Sequence, residues 1–275
     1  MSKWITVPAK LVAAFDASGK EESACVVVAG FISSHKDWQA FDTAWTSRLK
    51  EDGLEYFRMA EFAGSRQQFD GWKGNEERRQ QLFGDLMEII KSHVYRQFAS
   101  IIIMDGWDKL SVGNKQEYSL NAYVLAARSC AARVRDWQKA ENFKSPTGYA
   151  FEDGDEGRGM LDKRFVEDHL PRPVFKPKKD RAKADGTLER GYTPLQAADI
   201  LAYELQKAAN YMLSGKPPVK KFRWGLEELS LIPGEPGLYT IKHLEDLNHK
   251  LERLSVDNSA EVNGTSIIPA SGQFG

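Results

Sequence analysis

One stretch limits the fold more than any other: TPLQAADILAYELQKAANYML, residues 193–213, reads as a single long helix. Thr193 is the expected N-cap, Pro194 suits the first helical position, and Gln196 completes a capping box. Ala198, Leu201, Ala202, Leu205, Ala208, Ala209 and Met212 recur at helical spacing and form a stripe that must face a core. Near the N-terminus, KLVAAFD (10–16) and ACVVVAGFI (24–32) are rich in β-formers and flank the polar turn ASGKEES. They predict two neighbouring strands joined as a hairpin.

Between these landmarks the pattern alternates. Trp38, Phe41, Trp45 and Leu49 predict a helix after a Ser33 or Ser34 cap, and Leu82, Leu86, Ile89 and Ile90 predict another over 75–93. Further helices are expected over 115–140, 158–170 and 237–254, and strands over 95–106 and 147–154. Residues 54–64 fit either a strand or a short helix, and the basic segment 172–191 reads as a loop around a short strand. The order gives a mixed α/β architecture: one domain over residues 1–255, then a polar, flexible tail over 256–275.

Net charge among the 275 residues is −1, so any field that attracts nucleic acid must be local. No segment approaches the roughly 18 apolar residues of a membrane span. The opening MSKWITVPAK has no apolar core or cleavage pattern, so a cytoplasmic protein with no membrane partner is expected. Cys25 and Cys130 form no metal-binding pair and read as small buried hydrophobes. The five histidines are scattered, none in an H-E-x-x-H spacing, and no Ser-His-Asp or Cys-His arrangement stands out.

Acidic residues stand out instead. Asp16 ends the first strand, Glu61 follows LEYFRM, Glu152 and Asp153 end GYAF, and Asp199 lies in the second turn of the long helix. Each has an ordinary explanation: Asx hydrogen bonds for Asp16, a solvated helix start for Glu61, and a charged loop for the acids after Phe151. Asp199 is the hardest to explain this way, because neither capping nor the helix dipole reaches it. Together the acids carry more weight, because strand ends in one sheet and a nearby helix can bring them side by side. Like charges at that range repel unless a hard cation such as Mg²⁺ or Mn²⁺ neutralises them.

The motifs FDASG, FRMAEF, FED and above all PLQAADILAYEL resemble the prokaryotic family called domain of unknown function 3800, over roughly residues 10–206. The resemblance implies an RNase H-like fold, a mixed sheet with an N-terminal hairpin and flanking helices. It also implies a metal-dependent nuclease, in some members beside mobile-element or antiviral defence genes. It places the family's acids on Asp16, Glu61, Glu152 and Asp199. Ala17 stands where the family commonly has Glu, and Arg58 where it often has His.

On this reading two divalent cations, Mg²⁺ or Mn²⁺, serve phosphodiester hydrolysis of DNA or RNA. Asp16 would bridge them, Glu152 and Asp199 would hold one each, and Glu61 would complete a shell or orient water. Two basic stretches, Arg172–Lys183 and Lys216–Arg223, supply candidate phosphate contacts at Lys178, Lys179, Lys220 and Lys221, all expected to flank the acidic cleft. Phe222 and Trp224 could stack on bases. Replacing Asp199 by Asn is expected to stabilise the metal-free chain by relieving repulsion. The alternatives are a non-catalytic RNase H-like module that binds nucleic acid or a partner protein, and a kinase-like protein whose DASG turn holds nucleotide phosphate. A homo-oligomer is compatible with either.

Overall fold

The computed structural model describes residues 11–20, 22–110, 113, 115, 121–143, 146–154, 157–217, 223–234 and 236–244. Strands β1 (Leu11–Ser18) and β2 (Cys25–Ser34) form the expected antiparallel hairpin, with Phe15 opposite Gly30. Gly30 is required there, because a Cβ would lie 1.8 Å from the Ala14 carbonyl oxygen. Then come α1 (His35–Glu51), α2 (Met59–Gly64), α3 (Glu76–His93), β3 (Arg96–Ile103) and α4 (Met104–Lys109). They are followed by α5 (Ala122–Ala140), β4 (Thr147–Glu152), α6 (Arg158–Glu167) and β5 (Val174–Lys176). A small hairpin, β6 (Arg181–Ala182) and β7 (Leu188–Glu189), precedes α7 (Thr193–Leu213), α8 (Trp224–Leu229) and β8 (Pro236–Tyr239).

The main sheet has six strands in the order β5-β4-β1-β2-β3-β8. The β1–β2 and β2–β3 pairs are antiparallel, whereas β1–β4, β4–β5 and β3–β8 are parallel. Helices cover both faces. Val12 and Ala14 of β1 pack into a core with Trp38, Phe41, Trp45, Leu201 and Leu205, which come from α1 and α7. Leu11, Ala13 and Phe15 point the other way, into a core with Val124, Ala127 and Cys130 of α5 and Phe165 of α6. This alternation fixes the direction of the next residue, because side chains along a strand change face with a period of two. Asp16 belongs to the set of Val12 and Ala14, on the face that α7 covers.

Helix α7 has the expected bounds but a different start. No side chain caps it, and Thr193 instead donates its hydroxyl to Asp42 Oδ1 at 2.7 Å in a buried contact. Gln196 is likewise absent from any cap and turns inward. The ambiguous 54–64 segment yields only the short α2. Over 236–239, at the start of the helix expected over 237–254, the chain forms β8, parallel to β3. Its Pro236 and Gly237 are poor helix formers, and the edge of β3 offers backbone partners instead. Residues 241–244 are helical, as expected, and residues 245–275, the remainder of that expected helix and the tail, lie outside the described residues. Among the described residues no helix is long and apolar enough to cross a membrane.

One buried acid lies away from the acidic strand ends. Glu204 of α7 is 1% exposed, with Arg223 Nε 2.9 Å from its Oε2 but out of line for a hydrogen bond. Burial raises its pKa above the ordinary 4.5, and Arg223 only partly opposes this. The folded chain therefore holds this proton to higher pH than the unfolded chain does. Stability is present below pH 4.5 and declines as pH rises through that value towards the raised one. Glu204→Gln should remove this decline, which urea titrations at stepped pH would show; an unchanged slope would count against the assignment.

Candidate functional site

Parallel pairing builds the site. The β1–β4 register sets Phe15 beside Phe151, so Asp16 and Glu152 follow at the same level, both on the α7 face. The β4–β5 register sets Glu152 beside Lys176, and two residues further on the chain returns Lys178 to that face. Helix α7 crosses the strand ends and brings Asp199 opposite. The outcome is one cluster: Lys178 Nζ lies 2.9 Å from Asp16 Oδ2, 2.9 Å from Glu152 Oε2 and 2.9 Å from Asp199 Oδ1. An ammonium has three donors, and here each has an acceptor. Three carboxylates facing one ammonium leave a formal excess of two negative charges.

Lys178 is 6% exposed. Burial alone would lower its pKa, but Asp16, Asp199 and Glu152 outweigh that and push it up, so it stays charged at any ordinary pH. It therefore lies inside the cleft wall, not open to a phosphate backbone as the basic sequence around it suggested. Lys179, the next residue, is exposed, with its ammonium 5.1 Å above the Tyr56 ring. Lys220 and Lys221 lie outside the described residues, as does Phe222. Trp224 packs edge-on against Phe83, though it keeps an exposed edge.

The cluster is anchored from behind. Asp199 Oδ2 accepts the Met59 backbone N–H at 2.5 Å, which ties the start of α2 to α7. Gln196 Oε1 accepts both Trp45 Nε1 and the Phe57 N–H at 2.8 Å, while its Nε2 donates to the Lys178 carbonyl at 2.7 Å. The Tyr192 N–H donates to the Pro177 carbonyl. Gly191 lets the two segments approach, since a Cβ there would lie 2.7 Å from the Lys178 carbonyl oxygen. The Lys178 backbone is therefore pinned on both sides. Gln196 could have been singled out as a polar residue inside an apolar helix, which must find partners.

Glu61 does not join the ammonium. Its Oε2 accepts from Tyr56 Oη at 3.0 Å, and burial together with Glu61 raises the Tyr56 pKa. Tyr56, Arg58, Glu152, Lys178, Lys179 and Arg181 line a cleft of about 160 Å³. Asp153 also lies there. Burial would raise its pKa, but ion pairs with Arg181 and Arg158 hold it below the usual range. A larger groove of about 940 Å³ adjoins, bordered by Lys50, Tyr56, Lys178, Lys179 and Arg190.

The donor chemistry suits a hard divalent cation, since three carboxylates converge from two strands and a helix. The arrangement as it stands suits an ammonium, because its 2.9 Å contacts exceed the roughly 2.0–2.1 Å of a Mg²⁺–oxygen bond. Accordingly, among the described residues no group of three or more His, Cys, Asp or Glu side chains is set to hold a metal ion. No family model, no curated protein and no solved structure matches the chain.

Proposed function

We propose that the chain is a metal-dependent phosphodiester hydrolase acting on DNA or RNA, with an RNase H-like fold. The observation that carries this reading is the convergence of Asp16, Glu152 and Asp199 on one point at the sheet edge beside an open cleft. Support for the fold comes from the sheet, in which a central hairpin strand and its parallel neighbour deliver acids at one level. The resemblance to the domain of unknown function 3800 family points the same way.

Asp16, Glu152 and Asp199 would hold Mg²⁺ or Mn²⁺, which when bound supplies an activated water and charge stabilisation for an in-line displacement. The chain's own residues do the rest. Lys179, Arg58 and Arg181 line the cleft and would hold phosphate oxygens by charge-assisted hydrogen bonds. Tyr56, which donates its one hydroxyl proton to Glu61, is fixed in place and would shape the cleft beside Glu152. Glu61 thus acts through Tyr56 and is a positioning residue. One observation favours a second reading, the non-catalytic module: Lys178 already neutralises part of the cluster and gives its acids a structural role.

Incubating the purified chain with Mn²⁺ or Mg²⁺ and end-labelled single- and double-stranded DNA and RNA separates the two. Cleavage that Asp16→Asn abolishes supports the hydrolase, and no cleavage of any substrate supports the module. Where binding is measurable, Lys179→Glu should lower the slope of log affinity against log salt by about one, as loss of one phosphate contact requires. An unchanged slope would remove Lys179 from the interface.

A further inference from the structure

We propose that Lys178 is the resident cation of the acidic site and exchanges with a divalent metal ion, its ammonium leaving the carboxylates as the metal binds. The inference rests on the metal-dependent reading above and adds the residue that sets the affinity of the site. The two cations exclude one another. Asp16, Glu152 and Asp199 each present an oxygen to Lys178 at 2.9 Å, so a metal ion drawing the same oxygens to about 2.0–2.1 Å leaves no place for the ammonium.

Charge favours the exchange. With the ammonium in place the cluster keeps a formal excess of two negative charges, and a divalent ion in its stead leaves one. Lys178 supplies a cation to the site without metal, where a buried trio of carboxylates with no cation would be strongly unfavourable. The path is short. The Lys178 backbone is fixed through Gln196 and the Tyr192 N–H, while its side chain borders both the small cleft and the larger groove. Rotation about side-chain bonds alone therefore carries the ammonium from the acids into a groove that Lys50, Lys179 and Arg190 already line. There it can meet a phosphate, so metal binding and binding of an anionic ligand should reinforce one another.

Two measurements test this. In calorimetric titrations with Mn²⁺, the wild type should bind at a site that Asp199→Asn removes. Lys178→Ala should bind there about tenfold more tightly or better, a coupling of ordinary size. The second measurement uses the wild type alone and does not depend on a variant that folds. In a brief acetic anhydride pulse read by peptide mass spectrometry, Lys178 should stay unmodified without metal and become acetylated in Mn²⁺, while Lys179 reacts in both. If Mn²⁺ binds at the Asp199-dependent site but Lys178 stays protected, and its removal leaves affinity unchanged, the exchange is wrong and the metal reading stands. If neither wild type nor Lys178→Ala binds Mn²⁺ at that site, the metal reading falls and takes the exchange with it.

Discussion

Lys178→Ala should lower the stability of the metal-free chain by about 3–5 kcal/mol, the usual cost of removing one partner from a buried ionic group. For a chain of this size that is a fall in Tm on the order of 10 °C. The cause is specific. Asp16 and its two companions would lose the ammonium that they share, with the Asp16 side chain fully buried. The loss should shrink in acid, because a carboxylate that takes up a proton relieves the repulsion. It should also shrink in Mn²⁺, which at a hundredfold excess over the variant's Kd stabilises the variant by about 2.7 kcal/mol and the wild type, binding more weakly, by less. Thermal melts across pH and metal concentration read all three effects. A variant as stable as the wild type at neutral pH without metal would show that the acids do not depend on Lys178.

Asp199→Asn should reduce metal-dependent cleavage by more than about a hundredfold, since even residues that merely support a ligand contribute up to that much. It should also destabilise the metal-free chain by about 2–4 kcal/mol. This reverses the expectation from sequence, in which the substitution relieved repulsion. In the structure each oxygen of Asp199 accepts a hydrogen bond, one from Lys178 and one from the Met59 N–H. An Asn in either orientation turns its amide N–H towards one of those donors. Denaturant unfolding without metal, beside a cleavage assay with it, checks both halves. A stabilised variant would mean that repulsion, not the ammonium, dominates the cluster.

Much of the fold was legible because local pattern and tertiary context agree. The 193–213 helix and the 10–32 hairpin are of this kind, and the parity of Val12, Ala14 and Asp16 already aims the aspartate at one face. The carboxylates Asp16, Glu152 and Asp199 were legible as a set for the same reason. Lys178 was not. It lies in KPKKDR, which on composition is a solvated loop, and only the three-residue β5 pairing with β4 turns its side chain inward. Strand β8 was missed because its four residues owe their conformation to the free edge of β3 and not to their own propensity. Glu61 looked equivalent to the other acids in sequence. Its short helix is tied to α7 through a backbone N–H, and its side chain goes to Tyr56.

The pairing of Asp16 with Lys178 spans 162 positions of chain, and that distance sets a schedule for synthesis. The β1–β2 hairpin is local and can form as soon as it emerges. The cation that makes burial of Asp16 tolerable emerges about 8–32 s later at ordinary elongation rates of 5–20 residues per second. Until then the hairpin end must keep its aspartate in water, so the edge that later receives β4 should stay open on the ribosome. The acidic cluster thus forms only after β4, β5 and α7 have been made, and a nascent chain still short of them carries no assembled site.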